Sequence, residues 1–322
     1  MAEGSNAWTL CWWVNGAREW SLHLPGLYLA LGARSLILLF DNPEDPAFPV
    51  LSPHPAITCI PCTTGFWRSI GIAARARFPK RQIRALTWAY RQSASGWVLS
   101  VDADEFLFAN GGAGDIRAAL SGQGSETQAL RIETAEVVPT LERSEKTVFR
   151  TPMPRAVRRD VYGEDVPLFG PRRMGLVGHP QGKSFIRAGL QGIYLRQHWA
   201  HDAEGQRLPE VVLGAASGLY LLHYLAPEYE GWRRKMAWRL ASSGFTKYVG
   251  DCIREIEAAG HAEAAREAAL LALYNRLHRV RPEVLARMRA HGVCLEAEVD
   301  TAAPLARMLA LSVLTLPGRS AA

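Results

Sequence analysis

Trp97-Val98-Leu99-Ser100-Val101 runs straight into Asp102-Ala103-Asp104-Glu105, five residues of strand character set against three acids. A near-continuous apolar run too short for a helix marks a strand covered on both faces. Ser35-Leu36-Ile37-Leu38-Leu39-Phe40 has the same character and stops sharply at Asp41-Asn42-Pro43. Thr9 to Val14, ending at Asn15-Gly16, and Ala56 to Ile60 read as two more strands. Helical spacing separates them. Trp20, Leu24, Leu27, Tyr28 and Leu31 recur within Glu19 to Leu31, where Pro25 is a second place for the helix to begin, and Ile83, Leu86, Ala89 and Tyr90 recur within Lys80 to Ala94. Strand, helix, strand, strand, helix, strand predicts an α/β fold around a parallel sheet. Ligands of such sheets bind at the carboxyl ends of the strands. Asn15, Asp41, Asn42, Asp102 and Asp104 all follow strands, so the pattern gathers them along one edge.

The composition sets bounds on this reading. The chain has 322 residues, 48% apolar and 21% charged, which excludes disorder over most of its length. No apolar run approaches the ~20 residues that cross a bilayer, and Met1 to Leu10 has no signal-peptide pattern. A cytoplasmic location is therefore expected. The net charge of +6 suits an anionic small molecule, an anionic membrane surface or nucleic acid without choosing among them. Five cysteines, an odd number without a leader, argue against a disulfide scaffold. Cys59-Ile60-Pro61-Cys62 lacks a second ligand pair for zinc and reads as ordinary thiols.

Beyond Gly111 the pattern loosens. Asp115 to Leu120 reads as a short helix and Ala129 to Val138 as a strand. Thr151 to Gly182, rich in Pro, Gly and Arg, reads as an irregular basic loop in which Arg155, Arg158, Arg159, Arg172 and Arg173 suit an anionic donor, acceptor or lipid. Lys183 to Arg187, Gly192 to Gln197 and Leu219 to Tyr224 are short strands, and from Glu228 the chain turns helical. The expected division is residues 1–227, an α/β domain, and 228–322, a helical region packed on it. His278 and His291 read as structural members of those helices.

Two carboxylates at a strand end have two uses. A turn can bring one to a divalent cation and the other to a ribose or a cation-bound water, and hard oxygen ligands suit Mg²⁺ or Mn²⁺. A bare Asp-x-Asp also fits a solvated turn. The surroundings add a resemblance. Trp97 with Asp102-Ala103-Asp104-Glu105-Phe106-Leu107 is similar to the D-A-D-E-F-L stretch of family 2-like bacterial glycosyltransferases. Asn15, the run through Leu29-Ala30-Leu31-Gly32 and Asp41-Asn42 resemble the opening of that family; Gln82 and Tyr90 resemble its helix before the acidic motif. Gly182-Lys183-Ser184 with His198, and Leu222-His223-Tyr224 with Lys235, resemble its later blocks. The likeness spans about residues 8 to 240. Val14-Asn15-Gly16 departs from the family's Lys-Asn-Glu, and Glu19 is not at the spacing that would replace the acid.

The resemblance implies a GT-A-like, Rossmann-like sheet, mostly parallel and flanked by helices, with a helical C-terminal extension. It implies a metal-dependent transfer of a sugar from a nucleotide-sugar donor to a glycan or lipid-linked acceptor hydroxyl, with inversion, in surface polysaccharide or glycoconjugate synthesis. Donor-binding residues would be Asn15, Asp41, Asp102 and Lys183, with Lys183 neutralising phosphate. Asp104 and His223 would hold the metal, and the imidazole favours Mn²⁺ over Mg²⁺. The base is unmarked; Glu105 is the first candidate, with Glu133, Glu136, Glu164 and Asp165 behind it. Trp232 and Trp238 could dock a lipid-linked acceptor. No nucleic-acid partner is implied, and peripheral contact with the inner face of the membrane is compatible. Two alternatives stay open: a non-catalytic nucleotide-sugar-binding module on a degenerate transferase fold, and a nucleotidyltransferase. The latter normally carries a Gly-rich basic loop after its first strand, where this chain has only Asn15-Gly16-Ala17-Arg18.

Overall fold

A computed structural model describes residues 6–15, 20–139, 146–225, 228–242 and 244–314, and the chain forms two compact units. The first comprises Met1–Ile132, Gly182–Leu221 and Val299–Ala322; the second comprises Glu133–Gln181 and Leu222–Glu298. The first unit opens with β1 (Trp8–Val14), α1 (Trp20–Ala30), β2 (Ser35–Phe40), α2 (Ala47–Leu51), β3 (Ile57–Pro61), α3 (Thr64–Ser69) and α4 (Phe78–Arg91). It continues through β4 (Trp97–Val101), β5 (Glu105–Ala109), α5 (Ala113–Ser121) and β6 (Ala129–Ile132). The second unit then takes β7 (Thr134–Val137), β8 (Thr147–Arg150), α6 (Arg155–Tyr162) and α7 (Val166–Phe169). The chain returns to the first with β9 (Lys183–Arg187), β10 (Tyr194–Leu195), β11 (Ala200–His201), β12 (Glu210–Leu213) and the start of β13 (Leu219–His223). The second unit closes with α8 (Tyr229–Ala241), α9 (Lys247–Ala258), α10 (Glu263–His278), α11 (Pro282–Ala290) and β14 (Cys294–Ala297), and α12 (Ala302–Leu314) belongs to the first.

The first unit is built on a seven-stranded sheet ordered β12-β6-β9-β4-β1-β2-β3. β1 pairs in parallel with β2 and β4, β2 with β3, and β12 with β6. β9 alone runs against its neighbours β4 and β6. The fold is thus α/β: the strands of the sequence pattern, β1 to β4, pair in parallel as expected, and the sheet is mixed because β9 is reversed. Parallel neighbours need a crossover connection, whereas β9 enters from a segment of the second unit, and no run-length signal reveals its direction. Every residue of β1 is buried, as its continuous apolar run requires. Cys11 and Trp13 face a core shared with Ala85, Leu86, Ala89 and Tyr90 of α4. Strand alternation turns Leu10 and Trp12 to the opposite face. α1 keeps Pro25 inside it and extends back to Trp20.

The division into units differs from the expected boundary at 227/228. Trp232, Tyr274, Leu277 and Met288 from the later helices share one core with Val148, Val161 and Phe169 of the middle segment. Apolar faces on α8 to α11 cannot be buried by one another alone, and the Glu133–Gln181 segment supplies their cover. That segment also departs from the basic loop expected over 151–182, since it contains α6 and α7. The region expected to be helical holds one strand, β14, paired antiparallel with β8. All five cysteines are free.

Within the first unit α12 packs closely on α1. A Cβ placed on Gly26 would lie 2.9 Å from the backbone nitrogen of Leu305 and 3.0 Å from its Cα. Backbone cannot swing aside as a side chain can. Gly26→Ala is expected to destabilise the protein by about 1–3 kcal/mol, the usual range for overpacking, read as a lower midpoint in thermal unfolding. An unchanged midpoint would mean that α12 does not seat on α1.

Candidate functional site

The carboxyl edge of the first unit's sheet carries two polar clusters. β1 and β2 end in register, Val14 opposite Phe40, and Val101 of β4 lies opposite Trp12. Asn15, Asp41 and Asp102 therefore emerge at neighbouring strand ends.

In the first cluster Arg81 of α4 forms a two-pronged ion pair with Asp41, its Nη2 donating to Oδ2 at 3.1 Å and its Nη1 to Oδ1. Asn15 Nδ2 donates to the same Oδ2 at 3.2 Å. The Arg81 guanidinium sits 5.8 Å and 5.4 Å from the ring centroids of Trp13 and Trp67. A planar cation held by two indoles and a carboxylate has little rotational freedom. Asn15 is exposed.

The second cluster surrounds Lys183, whose side chain is 3% exposed. Extending the β4–β9 register by two residues brings Lys183 opposite Val101, next to the acidic turn. Its Nζ donates to Asp102 Oδ2 at 2.7 Å and to the carbonyl of Gln197 at 2.6 Å, and lies 3.3 Å from Glu105 Oε2. An ammonium has three donors, and these acceptors take all three. Gln82 Nε2 donates to Asp102 Oδ1 at 2.9 Å, while Gln197 Nε2 donates to Gln82 Oε1 at 3.1 Å. Glu105 opens β5, buried, and its Oε2 accepts from the Asp102 amide at 2.8 Å. Tyr28 of α1 fixes the same strand, donating to the Glu105 carbonyl at 3.2 Å and accepting from the Leu107 amide at 3.1 Å. His198 Nδ1 lies 3.2 Å from the Gly182 carbonyl.

Electrostatics follow from this packing. Burial opposes charge on both partners, but Lys183 and, behind it, His198 and Gln82 hold the Asp102 carboxyl below the ordinary carboxylate range. Asp102 and Glu105 in turn raise Lys183 above the ordinary lysine value despite its burial. Asp102 keeps a third of its side chain exposed. Asp104 is half-buried in the turn after β4.

Lys183 was expected to face a donor phosphate; its charge is instead engaged by the protein's own carboxylates, because its strand lies inside the sheet between β4 and β6. Glu105, first candidate for the base, is held by a backbone amide and an ammonium. Arg81 and Gln197 escaped the sequence reading. Arg81 stands in Lys80-Arg81-Gln82 at the head of a helix already read, and its meeting with Asp41 across 40 positions has no local signal. Gly16 and Glu19 lie outside the described residues.

His223 ends β13 in the second unit, nearly buried beside the Glu136 carboxylate. Glu136 accepts from Arg150 Nε at 2.9 Å, from the Val177 amide at 2.8 Å and from the Gly178 amide at 2.6 Å. Burial works against its charge, yet Arg150, His223 and these amides hold its carboxyl below the ordinary range. Glu136 is thus a structural anion. Glu133 is half-buried, and Asp165 pairs with Arg276.

Among the described residues no three His, Cys, Asp or Glu side chains converge into a metal cage. A cation shared with a diphosphate needs less from the protein: one or two carboxylates, with phosphate and water oxygens completing the shell. Asp104, a half-buried carboxylate beside a fixed Asp102, fits that requirement. No family model matches the chain, and no curated protein matches it significantly.

Lys183→Met would leave Glu105 and Asp102 uncompensated. Breaking a buried pair costs about 3–5 kcal/mol, and the exposure of Asp102 points to the lower end. The expected result is a lower urea midpoint at neutral pH. Asp102, with a depressed folded pKa, stabilises fully above the ordinary carboxylate range and loses that contribution as pH falls below about 4; Asp102→Asn should flatten this acid limb. Midpoints that neither variant shifts would show that the network carries no stability.

Proposed function

We propose that the chain is a metal-dependent glycosyltransferase of GT-A type, moving a sugar from a nucleotide-diphosphate donor to a hydroxyl of a glycan or lipid-linked acceptor with inversion. The observation that supports it most is the division of labour in the acidic turn. Asp102 is fixed by Lys183 and Gln82, and Asp104, half-buried, follows two residues on in the same turn at the sheet edge. The α/β sheet with Asn15 and Asp41 at adjacent strand ends supports the same reading.

In this reading Asp104 is the first unit's ligand to the cation, and a divalent cation supplies charge stabilisation for the departing diphosphate. Asp102 orients the turn and reaches the donor ribose with its exposed third. Asn15 presents its amide toward the base or ribose, backed by Asp41 and Arg81. Glu105, buried against Lys183, acts as a positioning group, so acceptor deprotonation falls to a group outside that network. The preference for Mn²⁺ over Mg²⁺ is a proposal that rests on a nitrogen ligand beside the carboxylate. Among the described residues no helix is long and apolar enough to cross a membrane; assembly of surface glycans at the inner face of the membrane is part of the proposal.

The test is calorimetric titration of the full chain with UDP, GDP and CDP, with Mn²⁺, with Mg²⁺ and with neither. One nucleotide should bind in a cation-dependent way, and Asp104→Asn should weaken it on the order of 100-fold while leaving the circular dichroism spectrum unchanged. Equal response to the two cations would remove the nitrogen ligand. Cation-independent binding would favour a non-catalytic module, and no binding of any nucleotide would overturn the proposal.

A further inference from the structure

The second unit contains a cavity of about 700 Å³ between α10, α11 and the segment around Tyr162 to Phe169. That size lies within the range of small-molecule sites. Its lining carries five arginines, Arg150, Arg276, Arg279, Arg281 and Arg287, against two carboxylates, Glu164 and Asp165.

Three of the arginines have carboxylate partners. Arg150, fully buried, is 2.7 Å from Glu136 and also donates to the Leu277 carbonyl at 3.1 Å. Arg276 holds Asp165 at 2.6 Å, and Arg281 lies 3.3 Å from Glu283 at the rim. Arg279 and Arg287 pair with no carboxylate among the described residues. Arg287 is turned to the Val161 carbonyl, donating from Nε at 3.1 Å and Nη2 at 2.9 Å. Arg279 begins the chain between α10 and α11, with its side chain exposed. Set against Glu164 on the same lining, these two leave a single positive charge in excess on a concave wall that also bears Phe169, Val280 and Val284. A net positive wall lowers the potential energy of an anion that enters. Guanidinium forks match carboxylate and phosphate alike, but a phosphate group brings three acceptor oxygens and close to two charges to one centre, so a pair of guanidinium groups suits it better than a single carboxylate.

Asn275 stands on the same lining. We propose that this cavity binds a phosphorylated small molecule, its phosphate on Arg279 and Arg287. The site lies wholly within the second unit and stands whether or not the first unit transfers sugars.

The full chain, in metal-free buffer with chelator, is titrated calorimetrically with fructose 1,6-bisphosphate, with inorganic pyrophosphate and with citrate. Both phosphate compounds should bind saturably and weaken as salt rises, with citrate weaker than either. Arg279→Ala should lower both phosphate affinities about tenfold or more, the effect of one charge-assisted hydrogen bond. Its exposed position makes loss of folding an unexpected outcome, and an unchanged thermal midpoint verifies that. Asp104→Asn should alter neither phosphate affinity. Absence of saturable binding, binding that Arg279→Ala leaves intact, or citrate binding as tightly as pyrophosphate would overturn the proposal.

Discussion

An ammonium group with almost no solvent exposure must be compensated where it stands, and Lys183 is compensated by Asp102, Glu105 and the Gln197 carbonyl. The consequences extend along the sheet edge. The lysine arrives on the one reversed strand, so its charge ties β9 to the end of β4 and the start of β5. Glu105 closes the turn by accepting the Asp102 amide, and Tyr28 clamps the strand that follows. A turn held at both ends by buried charge has few conformations left to it. The proposed role of Asp104 as a cation ligand requires such a turn.

Helix α4 extends the same logic to the next strand. Arg81 and Gln82 are consecutive, yet one holds Asp41 and the other Asp102. The helix is seated by Ala85, Leu86 and Ala89 against β1, and the guanidinium by Trp13 and Trp67. Packing energy that is sequence-remote from the acids thus fixes where they point. The indoles of Trp13 and Trp67 serve here as walls for an arginine.

The strands ending at Phe40 and Val101 were legible because burial on both faces writes itself as an unbroken apolar run, and the acids stood out because they follow such runs directly. β5 was concealed inside the motif, since Glu105-Phe106-Leu107 reads first as the tail of the acidic turn. α6 and α7 were concealed by Pro, Gly and Arg, which break periodicity before packing is known. The pairing of Lys183 with Asp102, 81 residues apart, and the shared core of Phe169 with Trp232 are products of tertiary folding. No local period encodes them. The same limit explains the boundary expected at 227/228: composition changes there, but the contacts that define a compact unit are made with residues 133–181.

In the proposed function a fixed Asp102 lets Asp104 meet a cation carrying a nucleotide diphosphate. Anomalous diffraction at the manganese edge, on crystals soaked with Mn²⁺ and the nucleotide that binds, tests it most directly. One manganese peak is expected within coordination distance of an Asp104 oxygen and of the diphosphate, with the Lys183–Asp102 bond intact. A peak whose ligands do not include Asp104, or a nucleotide seated away from the carboxyl edge of the first unit's sheet, would contradict it.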